Sequence, residues 1–66
     1  MTAPGEGIRE ILFEFTIVGS AVKVVAIDPV SGLEVSVMGP AQASRADMQR
    51  LAAGKLKQRL VSASKG

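Results

Sequence analysis

Apolar residues alternate with other residues on both sides of a Gly19-Ser20 pair, and this feature constrains the fold most strongly. A spacing of two places side chains on one face of a β-strand. Glycine followed by serine suits the two central positions of a type II′ turn. The pattern predicts an antiparallel hairpin whose strands cover residues 8–18 and 21–27. One face of the first strand carries Ile11, Phe13, Phe15 and Ile17.

The position of the turn also predicts the register of the hairpin. If Val18 lies opposite Ala21, each apolar residue on the inner face of the first strand meets an apolar partner on the second. A slip of one residue would send every side chain to the other face and destroy this match. The predicted pairs are Phe13 with Ala26, Phe15 with Val24, and Ile17 with Val22.

A third strand is predicted after the sequence Asp-Pro-Val-Ser-Gly at residues 28–32. Aspartate, proline and glycine in this order are typical of a tight turn. Pairing Asp28 with Leu33 keeps the inner face apolar, because Ala26 then meets Val35. We expect the strand to cover residues 33–38 and to end before Pro40, which has no N–H group for a ladder.

An amphipathic helix is predicted after Ser44, which is a suitable N-cap, with Asp47 three residues later. Gly54 interrupts this helix at a cost of about 1 kcal/mol relative to alanine. Apolar residues recur every four positions and form a stripe that faces the sheet, while Leu51 lies off it. The stripe consists of Met48, Ala52, Leu56 and Leu60.

These elements predict an α+β fold of order β-β-β-α, a three-stranded antiparallel meander with one C-terminal helix packed on one sheet face. We expect one domain over residues 8–63, a disordered tail at 1–7 and a frayed end at 64–66. A chain of 66 residues without cysteine or histidine has no disulfides and no zinc site of those ligands to support a small core. Self-association is the remaining common way to stabilise such a domain.

Catalysis is not expected, since histidine and cysteine are absent and the core is too small to enclose a cleft. Glu14 and Glu34 share a sheet face, but the second strand lies between them. The sequence thus predicts no catalytic, metal-binding or cofactor-binding residues. It also has no basic and apolar leader at its start, and residues 21–27 are too short to span a bilayer, so we expect a cytoplasmic protein.

The sheet face away from the helix also carries apolar residues. A single helix covers only one face, so these residues are exposed in a monomer. Such a surface usually marks an interaction site. The first strand also lies at a sheet edge with little protection. We expect a homodimer, formed either by pairing of first-strand edges or by stacking of this face. The candidate interface residues are Leu12, Val25, Ile27 and Met38.

Basic residues are concentrated at the C-terminal end. Residues 1–43 hold two basic and five acidic side chains, whereas residues 44–66 hold six basic and one acidic. A basic helix of this kind is able to bind phosphates, so nucleic acid is the alternative partner. No aromatic residue lies on the outer sheet face for base stacking. The candidate contacts are Arg45, Arg50, Lys55, Lys57 and Arg59.

Two resemblances accompany these predictions. The sequences at 24–29, 31–35, 39–41, 51–52 and 55–56 resemble those of short, uncharacterised bacterial stand-alone domains, a likeness that implies a folded domain and no activity. The order of elements from Phe13 onward resembles the C-terminal part of a double-stranded-RNA-binding domain, whose lysine run is replaced here by residues 43–47. From the residue patterns described above, we expect a small non-enzymatic, homo-oligomeric interaction protein.

Overall fold

The computed structural model describes residues 10–65, and the side chains of residues 10–63. Strands β1 (Leu12–Val18), β2 (Ala21–Ile27) and β3 (Glu34–Pro40) form one antiparallel sheet of order β1-β2-β3. Helix α1 (Arg45–Lys65) follows and packs on one face. The α+β fold and its β-β-β-α order are therefore confirmed. The predicted tail at 1–7 lies outside the described residues.

The β1–β2 hairpin has the predicted register, with Phe13 opposite Ala26 and Phe15 opposite Val24. Gly19 has a φ of 61°, while no described non-glycine residue has a positive φ. A positive φ at the first central residue alone defines a type II′ turn, whose twist matches that of the two strands. The glycine at this position therefore permits the predicted hairpin.

Asp28 is fully buried at the start of the β2–β3 turn. Its Oδ1 accepts a hydrogen bond from the Val30 N–H at 3.2 Å, and its Oδ2 accepts one from the Ser31 hydroxyl at 2.8 Å. Backbone bonds close the turn, from Gly32 N–H to the Asp28 carbonyl and from Asp28 N–H to the Leu33 carbonyl. The carboxylate thus organises the turn that the sequence predicts.

The predicted bounds of the third strand, residues 33–38, are wrong at its C-terminal end. Strand β3 starts at Glu34 and continues through Pro40. Antiparallel residues alternate between hydrogen-bonded and non-hydrogen-bonded pairs. Ala41 N–H bonds to the Ser20 carbonyl, so the adjacent Ala21–Pro40 pair is a non-hydrogen-bonded one. The Pro40 nitrogen therefore points away from β2, and the missing N–H costs the ladder nothing.

The core lies between α1 and the two strands β2 and β3. Ala26 and Ala52 are both fully buried, and such small residues let the helix approach the sheet closely. Gly39 has the same effect, since a Cβ atom there would lie 2.8 Å from the Met48 sulfur. The buried apolar residues are Val22, Val24, Ala26, Val35, Met48, Ala52 and Leu56.

Helix α1 begins as predicted, with Ser44 as its N-cap. The Ser44 hydroxyl accepts a hydrogen bond from the Asp47 N–H at 3.3 Å. The Asp47 carboxylate pairs forward with Arg50 at 3.2 Å. The helix is assigned through Lys65, so it includes two of the three residues, 64–66, for which we predict fraying.

Candidate interaction surfaces

Helix α1 covers only part of the sheet face on which it packs. It lies over β2 and β3, while Phe13 and Phe15 of β1 are half-buried and Ile17 is 61% exposed. A helix is about 10 Å wide and strands lie about 4.8 Å apart, so one helix covers about two strands. The helix therefore leaves the inner face of β1 partly uncovered.

The outer edge of β1 has no neighbouring strand among the described residues. Val18 and Ala21 flank a two-residue turn and form a hydrogen-bonded pair. By alternation, the backbone N–H and C=O groups of three residues on β1 point away from β2. These groups, which we call the open edge, belong to Phe13, Phe15 and Ile17.

The outer edge of β3 is protected in two ways. Pro40 presents no N–H group there. The Ser36 carbonyl, which also points away from β2, accepts a hydrogen bond from the Lys55 ammonium at 3.0 Å. Lysine and proline are common means of blocking an edge strand. The two edges of the sheet therefore differ, since β3 is blocked and β1 is open.

The predicted interface residues on the opposite face are only partly exposed. Leu12 is 47% exposed and lies opposite Ile27, which is half-buried like Val25. Met38 is 59% exposed on β3, opposite Lys23. The structure thus brings Leu12 and Ile27 together and places Met38 on the far strand of the same face.

The five predicted phosphate contacts do not form one stripe. Arg50 and Lys57, seven positions apart, share one side of α1, whereas Lys55 and Arg59, four positions apart, share another. The Arg45 guanidinium lies 4.9 Å from the centre of the Phe15 ring. Arg50 pairs with Asp47, and Lys55 contacts the sheet edge. Three of the five cations therefore already have partners within the chain.

The acidic side chains of the described region are dispersed. Asp28 is buried, but its two oxygens organise a turn. Glu14 and Glu34 are exposed on β1 and β3, on either side of β2. Residues 10–65 contain no cluster of three aspartate, glutamate, histidine or cysteine residues arranged to hold a metal ion.

A second surface was not foreseen from the sequence. A groove of about 560 Å³ runs between α1 and β3, and we call it the α1–β3 groove. Leu51, 62% exposed, lies beside it. The signal in the sequence is a second stripe on α1 at spacings of three and four, formed by Leu51, Gly54, Gln58 and Val61. The groove is lined by Val37, Met38, Arg50, Leu51, Gly54, Lys55 and Gln58.

Over residues 10–65, the fold and these surfaces define a small α+β domain with an open three-stranded sheet and a single helix. The chain belongs to the family described as a domain of unknown function (DUF6898), whose profile matches residues 8–65. The predicted likeness to an uncharacterised domain is thereby confirmed. No curated protein and no solved structure matches the chain, so the likeness to a double-stranded-RNA-binding domain has no support. Across the described residues, α1 is not apolar enough to cross a bilayer.

Proposed function

We propose that this protein is a non-enzymatic interaction module that forms a homodimer through the open edge of β1. The observation that carries the proposal is the difference between the two sheet edges. Lys55 and Pro40 block β3, whereas β1 presents seven residues of strand with no partner along the outer side among the described residues. Unprotected edges readily pair with another strand.

A two-fold axis at Phe15 gives the pairing that uses this edge most fully. Two antiparallel copies of β1 then place Phe15 opposite Phe15 and Phe13 opposite Ile17. All three residues have outward-facing backbone groups, so the pair gains about six hydrogen bonds. The product is a six-stranded sheet in which both helices lie on the same face.

Charge favours this register over its neighbour. With the axis at Phe15, Glu14 lies opposite Thr16 of the second copy. Moving the axis to Glu14 preserves the hydrogen-bond alternation but places the two Glu14 carboxylates directly opposite each other. Like charges in that position destabilise a sheet. The Phe15 axis is therefore the register that we propose.

Replacing Ile17 by proline is expected to convert the dimer to a folded monomer. Ile17 is exposed and its N–H points outward, so proline there removes a bond between copies and none within the chain. Pro40 occupies the equivalent kind of position on β3. Ile17→Thr, which retains the N–H, is the matched control and keeps the dimer. Solution mass by light scattering and helix content by circular dichroism provide the measurements.

The same measurement separates the other candidate modes. Ile27→Glu leaves the dimer intact under this proposal, whereas a monomeric Ile27→Glu protein would show that the opposite face stacks instead. The wild-type dimer keeps its mass at high salt, as expected for apolar contacts and backbone hydrogen bonds. A wild-type monomer that gains mass only with duplex RNA or DNA at low salt would overturn the proposal in favour of phosphate binding by α1.

A charge at residue 16 tests the register independently. Thr16 lies opposite Lys23 within the chain and opposite Glu14 of the second copy in the proposed dimer. Thr16→Glu should therefore stabilise the monomer while raising the dimer dissociation constant roughly 2- to 30-fold through two repulsive pairs. Thr16→Lys should destabilise the monomer and lower the dimer dissociation constant. Dissociation constants from sedimentation equilibrium measure this, and identical effects of the two variants would exclude the register.

A further inference from the structure

We propose that the α1–β3 groove is the docking site for an acidic, amphipathic helix of a partner protein. The groove lies on the β3 side of the sheet, away from the open edge, so this inference does not depend on the proposed dimer. Its basis is the combination of exposed apolar side chains, a glycine gap and an excess of basic side chains.

The centre of the groove is a gap in the helix surface. A Cβ atom built on Gly54 would meet nothing within 4 Å, so no contact within the chain explains a helix-weakening glycine there. Leu51 borders the gap and is mostly exposed. An apolar side chain of a partner would contact Leu51 and Val37, which both line the groove.

The exposed stripe is long enough for a helical partner. It extends from Leu51 to Val61, a rise of ten residue steps or about 15 Å of helix. A further hollow of about 420 Å³ continues along α1 and includes Gln58 and Val61. Amphipathic helices bind grooves of this kind through apolar anchors one turn apart. A stripe of three turns thus accommodates about three anchors.

Charge determines which helix fits. Arg50 and Lys55 line the groove, and Lys57 lines the hollow that continues it. Asp47 pairs with Arg50 in the first turns of α1, and residues 48–65 contain no aspartate or glutamate, so basic side chains are in excess. A second copy of α1 would therefore bring cations against cations, which disfavours self-docking at this surface. A helix with glutamate or aspartate on the flanks of its apolar stripe provides the complementary charge.

Nuclear magnetic resonance with the ¹⁵N-labelled full chain tests the inference. The probe is a synthetic 16-residue helix-favouring peptide with leucine at every third or fourth position and glutamate on the flanks. Its matched control replaces each glutamate by lysine. We expect the acidic peptide to shift the amide signals of Gly54, Gln58 and Val61, and the basic peptide to leave them unchanged.

Substitutions in the groove then show which residues contribute to the affinity for the peptide. Leu51→Ala should weaken peptide binding at least about fivefold, whereas Val30→Ala, at an exposed apolar residue of the β2–β3 turn, should not change it. Gly54→Ala should raise the folding equilibrium constant about fivefold while weakening peptide binding. Weaker binding by this variant therefore does not reflect loss of the fold. Lys55→Glu should reduce the preference for the acidic peptide, because Arg50 and Lys57 remain.

Three results would overturn the inference. The first is equal binding of the acidic and basic peptides. The second is a set of shifted signals on β1 rather than at the groove. In the third, vesicles of anionic lipid or a DNA duplex shift the groove signals while the acidic peptide does not, which would make α1 a surface for lipid or phosphate.

Discussion

Replacing Leu56 by alanine is expected to lower the free energy of unfolding by about 2–5 kcal/mol, the range for a fully buried leucine. Leu56 has no exposed surface and lies in the core between α1 and the sheet. Domains of this length have a total stability of about 3–10 kcal/mol. The variant should therefore be largely unfolded at moderate urea concentrations where the wild type is still folded.

Leu51→Ala is the matched control, because it makes the same chemical change on the exposed side of the same helix. It should alter the unfolding free energy by less than about 0.5 kcal/mol. Urea denaturation followed by circular dichroism at fixed protein concentration measures both variants. Equal losses for Leu56 and Leu51 would contradict the placement of the core on the stripe that contains Leu56.

Replacing Asp28 by alanine should cost about 3 kcal/mol, since two hydrogen bonds to a charged group are lost and each contributes about 1.5 kcal/mol or more. The bonded groups, Val30 N–H and the Ser31 hydroxyl, both belong to the turn that connects β2 to β3. The substitution removes the carboxylate, and with it the hydrogen bonds that define the shape of the turn. We expect a lower urea midpoint with helix content retained at low urea.

Two further variants identify the source of this loss. Ser31→Ala removes the bond to Asp28 Oδ2 and the exposed bond that the Ser31 hydroxyl accepts from the Leu33 N–H at 3.1 Å. It keeps the Val30 N–H bond to the carboxylate, so it should cost less than Asp28→Ala. Asp28→Asn retains an oxygen for the Val30 N–H and should fall between Ser31→Ala and Asp28→Ala. If Asp28→Ala costs no more than Ser31→Ala, the carboxylate does not organise the turn.

The sequence was sufficient to predict the hairpin, its register and the start of the helix. Period-two alternation and a Gly-Ser turn leave one pairing that keeps Phe13, Phe15 and Ile17 opposite apolar partners. Ser44 is likewise followed by a stripe of spacing four that faces the sheet. These features depend on neighbours within one element or one hairpin, where local patterns determine the geometry.

Features that depend on how elements sit over one another were harder to predict. The helix covers β2 and β3 and leaves β1 beside it, which depends on the width of a helix and its position on the sheet. The orientation of the Pro40 nitrogen depends on the phase of the hydrogen-bond ladder. The groove beside Leu51 exists only because β3 lies next to that side of α1. The spacing of apolar residues along α1 places Leu51 off the stripe that faces the sheet and carries no information about β3.

The blocked edge of β3 has a consequence for the size of the assembly. When two copies join at β1, the two edges that remain are both β3 edges, each with its lysine and proline. In the proposed dimer both ends of the sheet are therefore protected against strand addition, and we expect growth to stop at two chains. A sheet with two unblocked edges has no such limit and is able to extend into a fibre. Under the proposed function, Lys55 and Pro40 are therefore the residues that would keep the assembly finite.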